Sequence, residues 1–564
     1  MQNNLIKAKR KAEALFQQMR LVEAKAAFRK ICKAVPNDAE TWLNYGAVVG
    51  LLGEYPEAEA AFRRALVINP HLPQAYFNLG KLLVLLGRMH EAEAYWRTYV
   101  GLVPDMAEGQ YQLAKVLMSI GRNAESLPYY REALRLGSNN PEVLLDYGNA
   151  LQFSGRFDEA EATYLEVLSF NPTHVNAYLK LAYLYSMRHQ FERSEDTLQQ
   201  VVAIDPALRG AVLRQSATNA IWQGKFEEAL AYFNEANSLQ PNDVELRWER
   251  SLHLLRMGLY QEGWCEYEAR TRYWKWLDVM NAYKFSQPRW NGGPLEGRTI
   301  LVYAEQGFGD TIQFSRYLPL LFDRGGKVLF YCHEELLPLF RRMKGIDRVE
   351  PRSERVLAEK FDLHVPIMSL PHLFDTRLET IPAHVPYLDA DPDSVSRWRE
   401  RIDTKQINVG LVWSGRTTHS ENYWRSLTMQ DLVPLEATAP VKFYSLQKGT
   451  DQDEFQAIAS TLNIVDLSAE LHDFGDTAAV ISNLDLVITV DTAVAHLAGA
   501  LGRPTWILLH FPADWRWLTE REDSPWYPTM RLFRREVDEN WETVMRRVSS
   551  ALSAWSTAQD QRRI

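Results

Sequence analysis

The sequence predicts an α-helical solenoid followed by an α/β half built as two parallel-sheet lobes, and three observations carry that prediction. Residues 1–280 repeat with a period of 34. After the string QPRWNGGPLEGR the pattern turns to short β-rich runs that alternate with helical stretches. That series is interrupted once, by the Pro- and Asp-rich string TIPAHVPYLDADPDSV, and then starts again. Domain limits of 1–280, 281–390 and 391–564 result, the last with a C-terminal helix. A chain of 564 residues needs several cores in any case.

The repeat is visible in three registers. The small residue of a Glu-Ala-like dipeptide recurs at Ala24, Ala58, Ala92, Ser126, Ala160, Ser194, Ala229 and Gly263, at intervals of 34 with a single 35. A second set, Gly46, Gly80, Ala114, Gly148, Ala182, Ala217 and Ser251, keeps the same spacing and the same slip. Pro36, Pro70, Pro104, Pro172, Pro206 and Pro241 fall between units, where proline can open a helix but could not sit inside one. Gly46, Gly80 and Gly148 let the two helices of a hairpin approach closely, and Tyr45, Leu79 and Tyr147 beside them add apolar contacts. This pattern resembles the tetratricopeptide repeat, which implies about seven to eight hairpins stacked into a superhelix, with a groove that receives a partner's peptide. Trp42, Tyr76, Tyr111 and Tyr178 read as solenoid core, and the Trp- and Tyr-dense string WCEYEARTRYWKW reads as a cap docked on the α/β half.

Composition bounds the function. Apolar residues at 46% and charged residues at 24% are ordinary for a folded globular chain. Lys and Arg total 63 against 72 Asp and Glu, and the resulting charge of -9 removes the electrostatic basis for nonspecific nucleic-acid binding. Cys32, Cys265 and Cys332 are too far apart for a metal-type pair or a disulfide framework and are expected as reduced thiols. The opening MQNNLIKAKRKAEALFQQ lacks an apolar signal core, and no run supplies the ~20 apolar residues of a membrane span, so a cytoplasmic protein is expected.

In the second half, strands are expected at TILVYAE, KVLFYC and FDLHVPI for one sheet, and at INVGLVW, VKFYSLQ, NIVDL, LDLVITV and PTWILL for the other. Each sheet is read as parallel and doubly wound, so a ligand is expected at carboxyl ends of strands, in a cleft between lobes. Three strand-to-helix turns could carry chemistry. LVYAEQGFGDT sets Gly307, Gly309 and Asp310 at a helix start, where backbone can approach a ligand and a carboxylate stands at the cleft edge, although an Asp there also suits an N-cap. LVITVDTAVAHLAGALGRP sets Asp491 and Thr492 at a turn, with His496 on the face of Thr492 one helical turn on. LVWSGRTTHSENYWRSL offers Ser414, Gly415, and Arg416 and Arg425 as phosphate partners. The turn after TILVYAE is not a dinucleotide fingerprint, which disfavours a nicotinamide dehydrogenase.

These three features resemble the heptosyltransferase-like glycosyltransferases (family 9), and the whole arrangement, with the repeats, SLQKG and DWRWLTEREDSPWYPTMRLFR, is similar to bacterial tetratricopeptide-repeat glycosyltransferases. The resemblance implies a GT-B fold of two Rossmann-like lobes, with the acceptor on the first and a nucleotide sugar on the second. It implies Asp310 as general base, Ser414, Gly415 and Arg425 at the donor phosphates, Gln447 and Lys448 near the nucleotide, and Asp491, Thr492 and His496 at the donor sugar. Gly307, Gly309, Trp515 and Arg516 would line a sugar or acceptor pocket, packing against the neighbouring lobe being the equal alternative for Trp515. The strings SENYWRS and DWRWLTEREDSPWYP depart from the simplest heptosyltransferase pattern, so the sugar need not be a heptose. Asp389 with Asp391, and Asp451 with Asp453, form D-x-D strings, but neither pair follows a strand, and no metal site is expected. The expected activity is metal-independent, inverting transfer from a nucleotide-sugar co-substrate, without a further cofactor, to a hydroxyl of a protein held by the repeats, a surface or appendage protein being one such partner. The alternative is a noncatalytic scaffold with a degenerate transferase half.

Overall fold

The computed structural model describes residues 2–138, 140–273, 285–352, 360–403, 405–415, 422–437, 441–449, 452–537 and 539–563. The chain forms two compact units, Met1–Pro206 and Ala207–Ile564. The domain limit expected at 280 and the WKW end of the cap string lie in 274–284, outside the described residues.

Among the described residues the first unit contains twelve helices, from Gln2–Gln17 to Phe191–Ile204, paired as six hairpins, with consecutive hairpins packed on one another. The glycines do what their spacing predicts. A Cβ on Gly46 would come 2.6 Å from the ring of Phe62, one on Gly80 2.8 Å from that of Trp96, and one on Gly148 2.5 Å from that of Tyr164. Each glycine therefore lets a buried aromatic of the second helix lie against the backbone of the first. The aromatic positions early in the first helix are half-buried staples. Trp42 Nε1 donates to Pro36 O at 3.0 Å, Tyr76 Oη to Pro70 O at 3.1 Å and Tyr178 Oη to Pro172 O at 3.2 Å, tying each helix start to the proline six residues earlier. Gln110 Nε2 makes the same bond to Pro104 O at 2.8 Å, while the neighbouring Tyr111 reaches Asp146 instead.

The second unit begins with two more hairpins, Arg209–Trp222 with Phe226–Leu239 and Val244–Arg256 with Tyr260–Tyr267, closed by a tight turn at Glu268–Arg272. Two parallel sheets come next in the chain. The first comprises β1 (Thr299–Tyr303), β2 (Lys327–Cys332), β3 (Arg348–Pro351) and β4 (Leu363–Pro366) in the order β3-β2-β1-β4. The second comprises β5 (Ile407–Val412), β6 (Val441–Ser445), β7 (Ile464–Asp466), β8 (Leu486–Val490), β9 (Thr505–Leu509) and β10 (Met530–Arg534) in the order β10-β9-β8-β5-β6-β7. In both, the central strands are buried along nearly their whole length, as parallel sheets with helices on both faces require. Every strand expected from sequence is present, and β3 and β10 are additional edge strands. No described helix is long and apolar enough to cross a membrane.

The cap string docks as expected over its described part. Trp264, 1% exposed, meets Phe314 of the first lobe at 6.0 Å and Trp515 and Trp526 of the second at 5.2 and 6.4 Å, all edge to face. Aromatic contacts of this geometry add to the area they bury.

Candidate active site

The first lobe contributes the turn after β1. Gly307 is extended and caps the helix Phe308–Phe314, and its N–H donates to Asp310 Oδ2 at 3.0 Å. Asp310 thus occupies the third position of the helix and reaches back to the cap. Its other oxygen pairs with Arg516 Nη2, from the turn Trp515–Trp517 after β9. Arg516 is three-way committed, since Nε donates to Gln313 Oε1 at 2.6 Å and Nη1 to Asp514 Oδ1 at 2.9 Å. An arginine of the second lobe therefore fixes a carboxylate of the first. Burial raises the Asp310 carboxyl above its ordinary range, more than Arg516 lowers it. Asp514, which takes two hydrogen bonds from Arg516, is held below its ordinary range by Arg516 in spite of its burial.

The second lobe meets this turn directly. The helix Ala493–Ala500 packs on Phe308–Phe314, and a Cβ on Gly309 would stand 2.8 Å from the ring of His496. Gly309 is glycine because the lobes touch there. His496 is buried, bonded through Nδ1 to Tyr527 Oη at 2.9 Å and stacked on Trp517 at 5.6 Å, and burial with the nearby Arg516 charge pushes it down to about 3. It is a neutral ring in the junction, with Nε2 4.0 Å from Asp491 Oδ1. Thr492 caps the helix, its hydroxyl 3.1 Å from that of Thr489.

Burial, reinforced by the Asp514 charge, pushes Asp491 up to about 6. A carboxyl raised in the fold contributes stability below its unfolded value, near 3.8, and that contribution is lost as pH rises through about 6. Asp491→Asn is accordingly expected to raise unfolding free energy at pH 7.5 by on the order of 1–3 kcal/mol, and the gain should vanish toward pH 4. Urea unfolding at the two pH values tests this, and a variant no more stable than wild type at pH 7.5 overturns it.

Arg425 closes the second side. Its guanidinium lies over Gly415, where a Cβ would come 2.7 Å from Cζ; Nη1 donates to Asp491 O at 3.3 Å, and the buried Nε has no partner among the described residues. Ser414 and Gly415 are shaped by Ser426, whose Oγ accepts from Ser414 Oγ at 3.1 Å and from Gly415 N at 3.2 Å. Gln447 Oε1 accepts from Trp413 N at 3.2 Å and from Ser414 N at 2.9 Å, so this side chain positions the turn after β5.

Asp310, Gly309, Asp491, Thr492, His496, Ser414, Gly415, Arg425, Gln447 and Arg516 thus gather at the strand ends, with Gly307 exposed at the rim. Two expected residues are placed elsewhere. Lys448 is exposed and donates to Ser468 O at 2.6 Å. Trp515, expected in a sugar or acceptor pocket, is 2% exposed and packs on Trp264, because the aromatic cap claims its face. Arg416 and Asp451 lie outside the described residues, and Asp391 caps the helix Pro392–Arg399 by accepting from Ser394 N at 2.9 Å. Asp514, Gln313 and Tyr527 are not legible from sequence as site residues, although DWR carries a charge alternation inside an otherwise aromatic string.

Behind the first turn lies a buried ion pair that the sequence does not announce. Arg270, fully buried, donates to Glu305 Oε1 through Nε at 2.9 Å and Nη2 at 2.6 Å, to Ser369 Oγ at 2.8 Å and to Glu268 at 2.7 Å. Glu305 is two residues before Gly307, so the repeat cap grips the start of the turn that bears Asp310.

Residues 403–510 match the glycosyltransferase family 9 (heptosyltransferase) family, a span that holds β5 to β9 and the turns bearing Ser414, Arg425 and Asp491. Residues 105–169 and 163–196 match tetratricopeptide repeats, and residues 4–120 match the middle TPR-like domain of cilia and flagella-associated protein 70. The chain carries tetratricopeptide repeats and a family 9 glycosyltransferase domain. Protein FlbA of Caulobacter vibrioides is 30% identical over 362 residues, which make up 58% of this chain and 59% of FlbA. The chain thus spans about three-fifths of the curated relative it matches. Among solved structures, YrrB, described as a TPR protein with an unusual peptide-binding site, is 24% identical over 32% of this chain and 93% of its own, with a TM-score of 0.30. A tetratricopeptide repeat protein from Parabacteroides merdae is 18% identical over 45% of this chain and 99% of its own, with a TM-score of 0.35.

Proposed function

We propose that the chain transfers a sugar from a nucleotide donor to a hydroxyl group on a protein engaged by its repeats, without a metal ion and with inversion at the anomeric carbon. The observation that carries this reading is the pairing of Asp310 of the first lobe with Arg516 of the second, beside the contact of Gly309 with His496, whose neighbour Asp491 is held by Arg425. Two such lobes correspond to a GT-B arrangement. Asp310, made more basic by burial, takes the acceptor proton through a lone pair left by Arg516 and Gly307. The hydroxyl oxygen then bonds to the anomeric carbon as the bond to the nucleotide phosphate breaks on the opposite face. Charge on the departing phosphate falls to Arg425, whose Nε is the unpartnered donor, and to the Ser414–Gly415 turn. The repeats supply the affinity for the acceptor. Exposed, unpaired Cys265 suits a reducing compartment, and we place the reaction in the cytoplasm.

The test is titration of the full-length chain with a panel of nucleotides and nucleotide sugars, read as thermal stabilisation. One base is expected to stabilise, with affinity about tenfold or more weaker in Arg425→Ala. A panel with no binder, on a chain that still captures a protein partner through its repeats, replaces this reading with the scaffold.

A further inference from the structure

Where β9 and β10 end, His510, Phe511 and Arg535 meet Phe226 and Arg256 of the last two hairpins around a cavity of about 230 Å³. Carboxyl ends of parallel strands are where α/β sheets take ligands. None of Asp310, Ser414, Gly415, Arg425, Asp491 and Arg516 lines this cavity, which adjoins the transferase site, since the charges of Arg425 and Asp514 both act on His510. Its polar inventory is unbalanced. Nδ1 of His510, a residue only 5% exposed, and Nε of Arg535 are both buried with no partner among the described residues. Buried polar groups are rarely left so unless something else satisfies them. Arg256 donates Nε to Ala513 O at 3.3 Å, which brings a second guanidinium to the wall. The neighbouring Arg534 is already committed to backbone carbonyls, including Arg521 O at 2.7 Å and Leu518 O at 3.1 Å, and is a structural cation. Opposite these groups the wall is aromatic, with the half-buried rings of Phe226 and Phe511 6.4 Å apart at 46°. The two carboxylates of the lining, Glu520 and Glu536, are exposed.

We propose that this cavity binds a phosphomonoester with a flat apolar organic part. Arg535, Arg256 and the Nδ1–H tautomer of His510 hold the phosphate oxygens, and the ring lies against Phe226 and Phe511. Guanidinium groups match phosphate geometry better than any other side chain, and burial keeps the imidazole uncharged, down to about 3, so that it serves as a fixed donor. The inference does not rest on the transferase reading.

The test uses the full-length chain with Arg425→Ala, which removes the phosphate partner of the transferase site, and phenyl phosphate as the probe in isothermal titration. Saturable one-site binding is expected, with a Kd of about 1 mM or tighter, and about tenfold tighter than that of inorganic phosphate because the ring is buried. Arg535→Gln should weaken it about tenfold or more, and Phe226→Ala should bring phenyl phosphate down to the level of inorganic phosphate. Should Arg535→Gln fail to fold, Arg256→Gln and Phe226→Ala carry the same comparison. No saturable binding in the Arg425→Ala protein, or binding indifferent to these variants, overturns the site. Equal affinity for benzoate overturns the phosphate assignment, and equal affinity for inorganic phosphate overturns the organic part.

Discussion

Asp310→Asn is expected to lower kcat by about 10²–10⁴-fold with the donor and acceptor that the titration identifies, while nucleotide affinity stays within about threefold of wild type. Asn keeps the shape of the side chain and an oxygen for the Gly307 N–H, and Arg516 keeps Asp514 and Gln313. Loss of the charge therefore removes the proposed proton acceptor together with its ion pair to Arg516, whose other two anchors remain. Because burial raises the Asp310 carboxyl, wild-type kcat/KM should rise with pH through a limb above the usual carboxylate range, and the limb should be absent from the variant. Stability separates this role from a structural one. Asp310 titrates upward in the fold, so its ionised form is disfavoured there, and replacing it with a neutral side chain should leave the melting temperature unchanged or higher at pH 7.5. A folded Asp310→Asn protein that keeps a tenth of wild-type kcat with the same pH limb eliminates Asp310 as the base.

How much of this site the sequence discloses depends on how locally each feature is written. The hairpins are legible because a 34-residue period repeats the same small-against-aromatic contact, seen at Gly46 with Phe62 and Gly80 with Trp96. Central strands such as β5 and β8 are legible because burial on both faces demands continuous apolar runs. The edge strands are not: β3 is four residues with an exposed Arg348 at its start, and β10 reads MRLFR, whose charges an edge tolerates. Asp310 and Asp491 can be found because each sits at a strand-to-helix turn with a small residue beside it, and Arg425 because it stands in the polar, Arg-bearing stretch that follows β5, at the end of the helix Asn422–Arg425. The partner of Asp310 cannot, since Arg516 lies 206 positions away and only the packing of the two lobes unites them. Trp515 is legible in part, since packing is as open to it from sequence as a pocket role and the Trp- and Tyr-dense cap string announces a docking face, but which ring covers it is set by the tertiary packing.

Arg270→Met is expected to lower the unfolding free energy of the transferase unit by about 3–5 kcal/mol, because it strands Glu305 without its counter-ion in a fully buried place. Glu305 is already raised above the usual carboxylate range by burial with Arg270 present, and without the guanidinium it should rise further. A raised folded value means that the carboxyl supports folding below its unfolded value and opposes it as pH climbs, so the defect should be largest at neutral pH and shrink toward pH 4. Adding Glu305→Gln to Arg270→Met should recover part of the loss, since an amide costs less to bury than an unpaired carboxylate. Urea unfolding of the full-length proteins at pH 7.5 and pH 4.5 provides the comparison, and a loss below about 1 kcal/mol at pH 7.5 would mark the pair as dispensable. The consequence reaches beyond stability. A fragment beginning near residue 281 would lack Arg270 and Trp264, and so would expose Trp515 and Trp526 and leave Glu305 unpaired. The last two hairpins are thus part of the core of the second unit, and the cap that closes the repeat also holds the turn on which Asp310 stands.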